Sequence, residues 1–291
     1  MLFLIHHHTS YRFERPVFLE PHEIRLMPRQ DGTQKVLDFR MEMDPEPAGL
    51  WFGLDAESSP FASAWFNDLH AELSIRTTCR VSTLRNNPYG FLLSEAAQAL
   101  PPRLSPAEAA ALAPCLKRSP APPGGADLIA DLARDIRDQA AGVQGNGTCL
   151  GFAVSLNTWL FAHLTKVVRS EPGIQPPAET LHTCTGSCRD SAVLFMDCCR
   201  AAGIPARFVS GYQEGDPDEP YRELHAWAEV FIPGAGWIGC DPTHGLLTAE
   251  SHVALSASHD PAQAAPVRGA YRGTGVASQL DHAVRIELVK S

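Results

Sequence analysis

The chain has 291 residues, of which 44% are hydrophobic, and a formal net charge of −9 at pH 7. This length and composition predict a soluble globular protein with one large domain or two. We expect no nucleic-acid partner, because phosphate binding needs clustered lysine and arginine and the basic residues are scattered. No window of the sequence has the length and apolarity of a transmembrane helix, so we expect no membrane partner.

The first residues and the cysteines favour a cytoplasmic location. Met1 to Ile5 is a short apolar run without the basic start, longer apolar region and cleavage site of a signal peptide. The eight cysteines follow no common spacing, and Cys198 and Cys199 are neighbours on one predicted helix. We therefore expect free thiols and not a disulfide framework.

Residues 1–100 are predicted to form an antiparallel β-sandwich domain. Short segments of alternating polar and apolar residues recur, among them 23–29 and 34–43, with turn-forming residues between them. Asp31 and Gly32 separate these two segments, and Asp-Gly at such a position is typical of a hairpin turn. The pattern therefore predicts that the two segments pair with each other.

Residues 126–291 are predicted as a second domain of the α+β class. Proline and alanine dominate 101–125, which we interpret as a linker that includes one helical turn. Two helices are then predicted from their apolar spacing, at 127–137 and at about 152–168.

A further helix begins at a cysteine. Ser187 and Asp190 form a helix-start pattern, and apolar residues then recur at helical spacing until Gly203 and Pro205. Cys188 therefore lies in the first turn. There the positive end of the helix favours the thiolate, and free backbone N–H groups can stabilise an oxyanion.

The strands that follow carry a histidine and an aspartate. The segment 206–212 is predicted as a strand, the segment 224–232 alternates with His225 near its start, and the next strand ends at Asp241. One helix and one antiparallel sheet can bring these two residues and Cys188 together. The sequence thus contains a cysteine, a histidine and an aspartate suited to thiol catalysis.

The C-terminal part is predicted as a loop and a strand. Residues 249–275 are small and rich in Ala, Gly, Pro and Ser, which predicts a long ordered loop that borders the cleft. Residues 281–289 alternate and predict a half-buried strand, which we place at an edge of the second domain's sheet.

Four ordered motifs resemble the bacterial transglutaminase-like family, whose members are often labelled cysteine proteases. The motifs are Gly186-Ser-Cys-Arg-Asp190, Gly203-Ile-Pro-Ala-Arg207, His225-Ala-Trp-Ala-Glu-Val230 and Trp237-Ile-Gly-Cys-Asp-Pro-Thr243. The segment from His7 to Pro16 is also similar to the N-terminal β domain found with this family. The resemblance implies a β-sandwich followed by a transglutaminase/papain-like core, in which helices pack on an antiparallel sheet and the nucleophile lies at a helix N-terminus.

The resemblance also implies a role for each site residue. Cys188 is implied as the nucleophile, His225 as the general acid/base, and Asp241 as the residue that orients the imidazole. The second donor to the oxyanion stays open, since Asn157 and Trp159 both lie upstream on a predicted helix. No cofactor is implied, and the oligomeric state is left open.

The acyl acceptor decides the activity. Thiolate attack on an amide gives a thioester acyl-enzyme, which water converts to product in a protease or amidase and an amine converts in a transglutaminase. Amine transfer needs a site sheltered from water, and the five tryptophans do not flank both sides of the site in the sequence, while the loop 214–219 before His225 is acidic. We therefore expect hydrolysis of a peptide or isopeptide bond in a peptide or protein substrate, with transglutaminase activity as the alternative.

Two non-enzymatic alternatives compete with this interpretation. His182, Cys184 and Cys188 lie close together with Cys198 and Cys199 downstream, but the paired spacing of known zinc sites is lacking, so we expect no metal. A catalytically silent scaffold that binds a partner is the other alternative, and the presence of all three polar residues argues against it.

Overall fold

The computed structural model describes residues 1–119, 127–142, 147–169, 173–215 and 222–289. Its strands are β1 (Leu2–Leu19), β2 (His22–Ile24), β3 (Gln34–Asp44), β4 (Gly49–Leu54), β5 (Pro60–Trp65), β6 (Leu69–Thr83), β7 (Thr165–Lys166), β8 (Thr185–Gly186), β9 (Ala206–Gln213), β10 (His225–Ile232), β11 (Gly236–Asp241), β12 (Leu246–Leu247), β13 (His252–Ser258), β14 (Val267–Arg268), β15 (Tyr271–Arg272) and β16 (Ser278–Leu288). Its helices are α1 (Pro106–Leu112), α2 (Leu128–Ala141), α3 (Cys149–His163), α4 (Pro177–Thr183) and α5 (Cys188–Ala201), with 3₁₀ turns at Glu95–Gln98, Ala113–Leu116 and Pro261–Ala264. Within these ranges, no helix has the length and apolarity needed to cross a membrane.

The N-terminal part is an antiparallel β-sandwich, which confirms the prediction. One sheet has the order β15-β1-β6-β3, with β16 also paired to β1, and the other has the order β14-β2-β5-β4. The period-two alternation of β1 and β6 turns side chains such as Phe3, Ile5, Leu73 and Ile75 into the core between the sheets. The sandwich core is therefore built from the inward face of each strand.

The predicted hairpin around Asp31 and Gly32 is wrong. β3 pairs with β6, and β2 pairs with β5 and β14, so the segment between β2 and β3 crosses from one sheet to the other. The crossing segment bonds elsewhere, since the Arg29 N–H and the Gln34 side-chain amide both donate to the Ala254 carbonyl. A local turn signal was overridden by these long-range bonds.

The second part packs helices on an antiparallel sheet, as predicted. The sheet has the order β12-β11-β10-β9-β13, and α5 packs on β9 and β10. One face of β10 meets the helices through Ala226, Ala228, Val230 and Ile232, all buried in a core that also holds most of α5. The alternation of small and branched residues on this face lets the helix approach the sheet closely.

The prediction that 249–275 is a long loop is wrong. β13 is buried along its whole length and pairs with β9. Its small residues lie where the sandwich packs against it, since Ser59 Oγ accepts from the Ala257 N–H and the Gln34 Oε1 atom accepts from the Ala254 N–H. Small side chains in this strand thus reflect close packing and not a turn.

The C-terminal strand joins the other sheet from the one expected. β16 pairs with β1 along its length, from Phe3 opposite Leu288 to Phe13 opposite Ser278, because its inward Val284 packs in the sandwich core. The placement of this strand at the edge of the second sheet is therefore wrong.

The division into 1–100, 101–125 and 126–291 remains a prediction. Residues 120–126 of the expected linker and 216–221 of the acidic loop lie outside the described residues. The stretch before the linker packs on the second core, where the Cys149 thiol donates to the Ala97 carbonyl at 3.0 Å.

A buried group of three charges joins the sandwich to the second sheet. Arg29 Nη2 lies 2.7 Å from Glu229 Oε1, and Arg207 Nε lies 2.7 Å from Glu229 Oε2. Arg207 also stacks over the Trp237 ring at 4.1 Å. Burial acts to raise the pKa of Glu229, but the two guanidinium groups outweigh it and lower the pKa to about 2.

Candidate active site

The thiol of Cys188 stands at the start of α5, as the sequence predicted. Ser187 precedes the helix and donates to Asp190 from both its backbone N–H and its hydroxyl, each at 2.8 Å. Asp190 is fully buried and also accepts from Arg169 Nη1 at 2.9 Å and from the Gln175 N–H at 2.7 Å. This network fixes the first turn, and it leaves Cys188 partly exposed at the positive end of the helix.

Two neighbouring strands supply the imidazole and the carboxylate. β10 and β11 are antiparallel, so the start of β10 lies beside the end of β11. His225 Nε2 lies 2.7 Å from Asp241 Oδ2, and the Cys188 thiol lies close enough to the His225 ring to shift its pKa. The structure therefore brings Cys188, His225 and Asp241 together in one line.

The charges in this line reinforce each other. Burial acts to raise the pKa of the Cys188 thiol, but the hydrogen bond and charge of His225 and the backbone N–H of Ala226 outweigh it and lower the pKa. Burial acts to lower the pKa of His225, but Asp241 and the thiol raise it to about 9. The arrangement favours a thiolate–imidazolium pair near neutral pH, which is the reactive form of a cysteine nucleophile.

Two further histidines contact Asp241, and the sequence reasoning missed both. His244 Nδ1 lies 2.8 Å and His252 Nε2 lies 3.1 Å from the same oxygen that bonds His225. His244 follows Asp241 by three residues in a turn, which is a usable local signal. His252 opens β13, and its small neighbours hid the strand.

The other candidate residues fall in separate places. Asn157 Nδ2 donates to the Leu246 carbonyl at 3.2 Å and so ties α3 to the turn after Asp241. Trp159 packs against the helical core and stacks on His163 at 4.1 Å. The second oxyanion donor stays unassigned.

The residues of the zinc alternative are spread along the molecule. His182 and Cys184 are exposed before α5, whereas Cys198 and Cys199 are buried ten or more residues into it, about 15 Å from Cys188 at the helical rise. In the described part of the chain, the donor atoms close enough to share an ion belong to His225, Asp241 and His252. The residues of this alternative zinc site are thus not brought together.

The neighbouring thiols differ from Cys188 in environment. Cys240 is fully buried, and burial raises the pKa of its thiol, as it does for Cys198 and Cys199. Cys184 is exposed and has a left-handed backbone with φ of 52°. Cys188 is therefore the cysteine of this region with both an imidazole partner and access to solvent.

Comparison with known families agrees with this fold. Residues 136–242 match the model of the transglutaminase-like superfamily, and residues 3–82 match the model of the bacterial transglutaminase-like N-terminal region. The chain belongs to the bacterial transglutaminase-like family.

Several individual proteins are similar to the chain. "Uncharacterized protein ML0607" of Mycobacterium leprae is 34% identical over 113 residues, which are 37% of this chain and 39% of that protein. "Uncharacterized protein Rv2569c" of Mycobacterium tuberculosis is 25% identical over 96% of this chain and 90% of its own length. A "Protein-glutamine gamma-glutamyltransferase" of Pseudomonas aeruginosa is 42% identical over 69 residues, which are 21% of this chain and 10% of that protein.

A solved structure shares the whole fold. It is described as "a Putative Cysteine Protease from Cytophaga hutchinsonii", has a TM-score of 0.67 and 19% identity, and covers 99% of this chain and 98% of its own. At this identity the likeness shows that both the sandwich and the helix-on-sheet unit recur together.

Proposed function

We propose that the protein is a cysteine protease or amidase that hydrolyses a peptide or isopeptide bond through Cys188, His225 and Asp241. The observation that carries the proposal is the line from the Cys188 thiol at the N-terminus of α5 to the neighbouring His225 ring and on to Asp241, whose Oδ2 atom lies 2.7 Å from His225 Nε2. Such a line supplies a nucleophile, a proton carrier and an orienting carboxylate. A catalytically silent scaffold would have no need of a raised histidine pKa beside a lowered thiol pKa.

The acylation step uses the two ends of the imidazole differently. The Cys188 Sγ atom attacks the amide carbonyl carbon, and the oxyanion accepts from the Cys188 backbone N–H at the start of the helix. Since His225 Nε2 bonds Asp241, Nδ1 is the atom that faces the thiol and gives its proton to the departing amine as the C–N bond breaks. The product of this step is a thioester on Cys188 and a free amine.

Deacylation returns the site to its starting state. His225 takes a proton from water through Nδ1, and the hydroxide adds to the thioester carbonyl. The C–S bond then breaks, the acid leaves, and the thiolate–imidazolium pair forms again. Asp241 keeps the ring in one tautomer through both steps.

The placement of the tryptophans supports water as the acceptor. Trp51 and Trp65 lie in β4 and β5 of the sandwich, Trp227 is 2% exposed, and Trp237 lies under Arg207. The fifth tryptophan, Trp159, is half-buried against the helical core and stacks on His163. Two of the five rings thus lie in the sandwich and the other three pack on protein groups, so they do not form a pair of exposed walls that could shelter a thioester while an amine arrives. The printed name of the Pseudomonas relative keeps amine transfer as the second candidate, although this chain spans 10% of that protein.

Labelling with iodoacetamide tests the nucleophile. At low reagent and near-neutral pH we expect one adduct, on Cys188, and its loss in Cys188→Ala, because burial raises the pKa of most other thiols. Cys184→Ala is the matched control, since this thiol is exposed but has no imidazole partner, and its labelling pattern should equal that of the parent. Preferential modification of Cys184 or Cys240 would contradict the assignment.

A peptide library tests the acyl acceptor. Incubation with and without excess primary amine should release free acids or shortened peptides in both cases, and Cys188→Ala should release none. Amine adducts that dominate at millimolar amine would replace hydrolysis with amine transfer as the activity.

We also place this reaction in the cytoplasm. All eight cysteines are free thiols in the structure, which suits a reducing compartment. Mass tagging of the thiols in acid-quenched cells should label the protein at every cysteine after denaturation. Disulfide-linked cysteines, or recovery of the protein outside the cytoplasmic fraction, would contradict this location.

A further inference from the structure

One oxygen of Asp241 accepts three imidazole N–H groups. Oδ2 lies 2.7 Å from His225 Nε2, 2.8 Å from His244 Nδ1 and 3.1 Å from His252 Nε2, and Oδ1 accepts from the Thr243 N–H at 2.9 Å. The carboxylate is 0% exposed. Four N–H donors thus replace the water that a buried carboxylate has lost.

The hydrogen bonds fix the tautomer of each ring. A carboxylate oxygen only accepts, so each of the three ring nitrogens that face it carries a proton. His252 receives a second constraint, because Ser251 Oγ lies 3.1 Å from its Nδ1 atom and can donate to it. Burial also lowers the pKa of His252, which favours a neutral ring that accepts from Ser251 at Nδ1 and donates to Asp241 from Nε2.

The two additional rings approach Asp241 from different elements. His252 is 5% exposed at the start of β13 and lies edge-on to Trp227, with ring centroids 5.2 Å apart. His244 is one-third exposed in the turn after β11, and its ring centroid lies 5.2 Å from that of His225. Oδ2 is thus held from both sides in the position where it meets His225.

We propose that His244 and His252 are positioning residues that hold the Asp241 carboxylate toward His225 and so maintain the reactive thiolate on Cys188. This inference rests on the proposed function. Without these donors, the carboxylate keeps the Thr243 backbone N–H and the His225 ring N–H, and it turns more readily about its Cβ–Cγ bond. The His225–Asp241 bond then weakens, the buried imidazolium loses its stabilisation, and the thiolate that depends on it is less populated.

The donor atoms of His225, Asp241 and His252 lie close enough together to suggest a metal site. The directions of the bonds argue otherwise. All three rings already donate to one oxygen, and an ion among them would have to displace those protons and break the bond between His225 and Asp241. The arrangement therefore fits a hydrogen-bonded support for the Asp241 carboxylate better than a metal site.

The test replaces the N–H donors and then restores them. His252→Leu removes the donor and keeps the volume, whereas His252→Gln returns an amide N–H at the end of the side chain. We expect His252→Leu to slow the alkylation of Cys188 by iodoacetamide about tenfold at pH 7, which is the effect expected from the loss of one hydrogen bond to a charged group. We also expect the pH at which the alkylation rate rises to be higher in this variant. His252→Gln should stay within about threefold of the parent.

A second pair of variants and a control variant distinguish a positioning role from a general effect on folding. His244→Ala and His244→Asn make the same comparison at a more exposed position, so these variants test the proposal even if His252→Leu does not fold. His7→Leu is the matched control, because His7 is a buried histidine whose ring bonds Tyr212 and Thr9, each at 2.8 Å, and not Asp241. It should lower the melting temperature without moving the pH profile of Cys188.

The outcomes are distinct for the function and for the inference. Histidine ¹⁵N NMR of the full chain reads the tautomers directly, and we expect Nε2–H for His252 and Nδ1–H for His244 whether or not Cys188 is reactive. If Cys188 in the parent is not alkylated selectively, the proposed function fails while this reading still tests the bonds to Asp241. The inference is overturned by the opposite tautomers, by folded Leu and Ala variants with the parent pH profile, or by stoichiometric zinc bound through His252.

Discussion

The buried charge group between the sandwich and the sheet makes a quantitative prediction for Glu229→Gln. The pKa of Glu229 is lowered to about 2 from an ordinary 4.5, and this difference corresponds to about 3 kcal/mol of stability at neutral pH. The substitution also leaves Arg29 and Arg207 without their anion, and breaking a buried pair typically costs about 3 to 5 kcal/mol. We therefore expect the free energy of unfolding to fall by about 3 kcal/mol at pH 7.

The direction of the pKa shift determines how the stability contribution of Glu229 changes with pH. The folded pKa lies below the unfolded one, so the unfolded state binds more protons between pH 4.5 and about 2. The contribution of Glu229 is complete above pH 4.5 and is lost as the pH falls toward 2. By this reasoning the difference between the parent and Glu229→Gln should shrink to about 1 kcal/mol at pH 3.

Urea denaturation followed by tryptophan fluorescence measures the difference at pH 7, 5, 4 and 3. Glu42→Gln is the control, since Glu42 pairs with Arg40 at 2.9 Å but both side chains are more than half exposed. Such a surface pair contributes little, so this variant should match the parent at every pH. A Glu229→Gln protein as stable as the Glu42→Gln protein, or a loss that stays constant from pH 7 to pH 3, would refute the reasoning.

Asp241→Asn should lower kcat/KM for amide hydrolysis by about 10³- to 10⁴-fold in peptide assays, because the amide cannot hold the imidazolium of His225 in place; a loss under tenfold would exclude an orienting role. The pKa of about 9 for His225 predicts that kcat/KM falls above pH 9, where the proton for the leaving amine is lost, and that Asp241→Asn moves this limb to lower pH; an unmoved limb would contradict the assignment. Gly211→Ala should lower the free energy of unfolding by about 1 to 3 kcal/mol in thermal melts, since the added Cβ would lie 2.4 Å from a carbonyl oxygen of β13 and 2.5 Å from the Trp227 ring. Gly32→Ala is its control, because nothing lies within 4 Å of that Cβ, and equal melting temperatures for the two variants would count against the packing argument.

Local signals predicted the elements of the fold well. The helix-start pattern of Ser187 and Asp190 placed the beginning of α5 at Cys188, because a helix cap is decided within one turn of chain. The alternation in 224–232 likewise identified the strand that became β10. These features depend on residues a few positions apart, so they can be read without knowing the fold.

Partners distant in the sequence could not be predicted in the same way. Alternation tells which side of a strand is buried but not which sheet covers it, so β16 was placed on the wrong sheet and β3 was given the wrong neighbour. β13 was missed because its small residues are suited to close packing, a property that a loop shares.

The site shows the same limit on a smaller scale. The residues Cys188, His225 and Asp241 stand in motifs, whereas the contact of His252 with Asp241 exists only because β13 lies beside β9 in the sheet. The sequence offers no spacing rule for such a contact. The support of the carboxylate therefore depends on the three-dimensional fold.

The pairing of β1 with β16 has a consequence for the order in which the molecule assembles. During synthesis, β1 and β6 leave the ribosome some 200 residues before β16. Until β16 is made, one edge of β1, the longest strand of the sandwich, has no partner strand. Such contacts slow folding and leave an edge open to association with other chains. Once β16 has paired, its 11 residues hold the last strand of the fold against the first. A protease cut between the sandwich and α2 would then leave two fragments that migrate as one particle until a denaturant separates them.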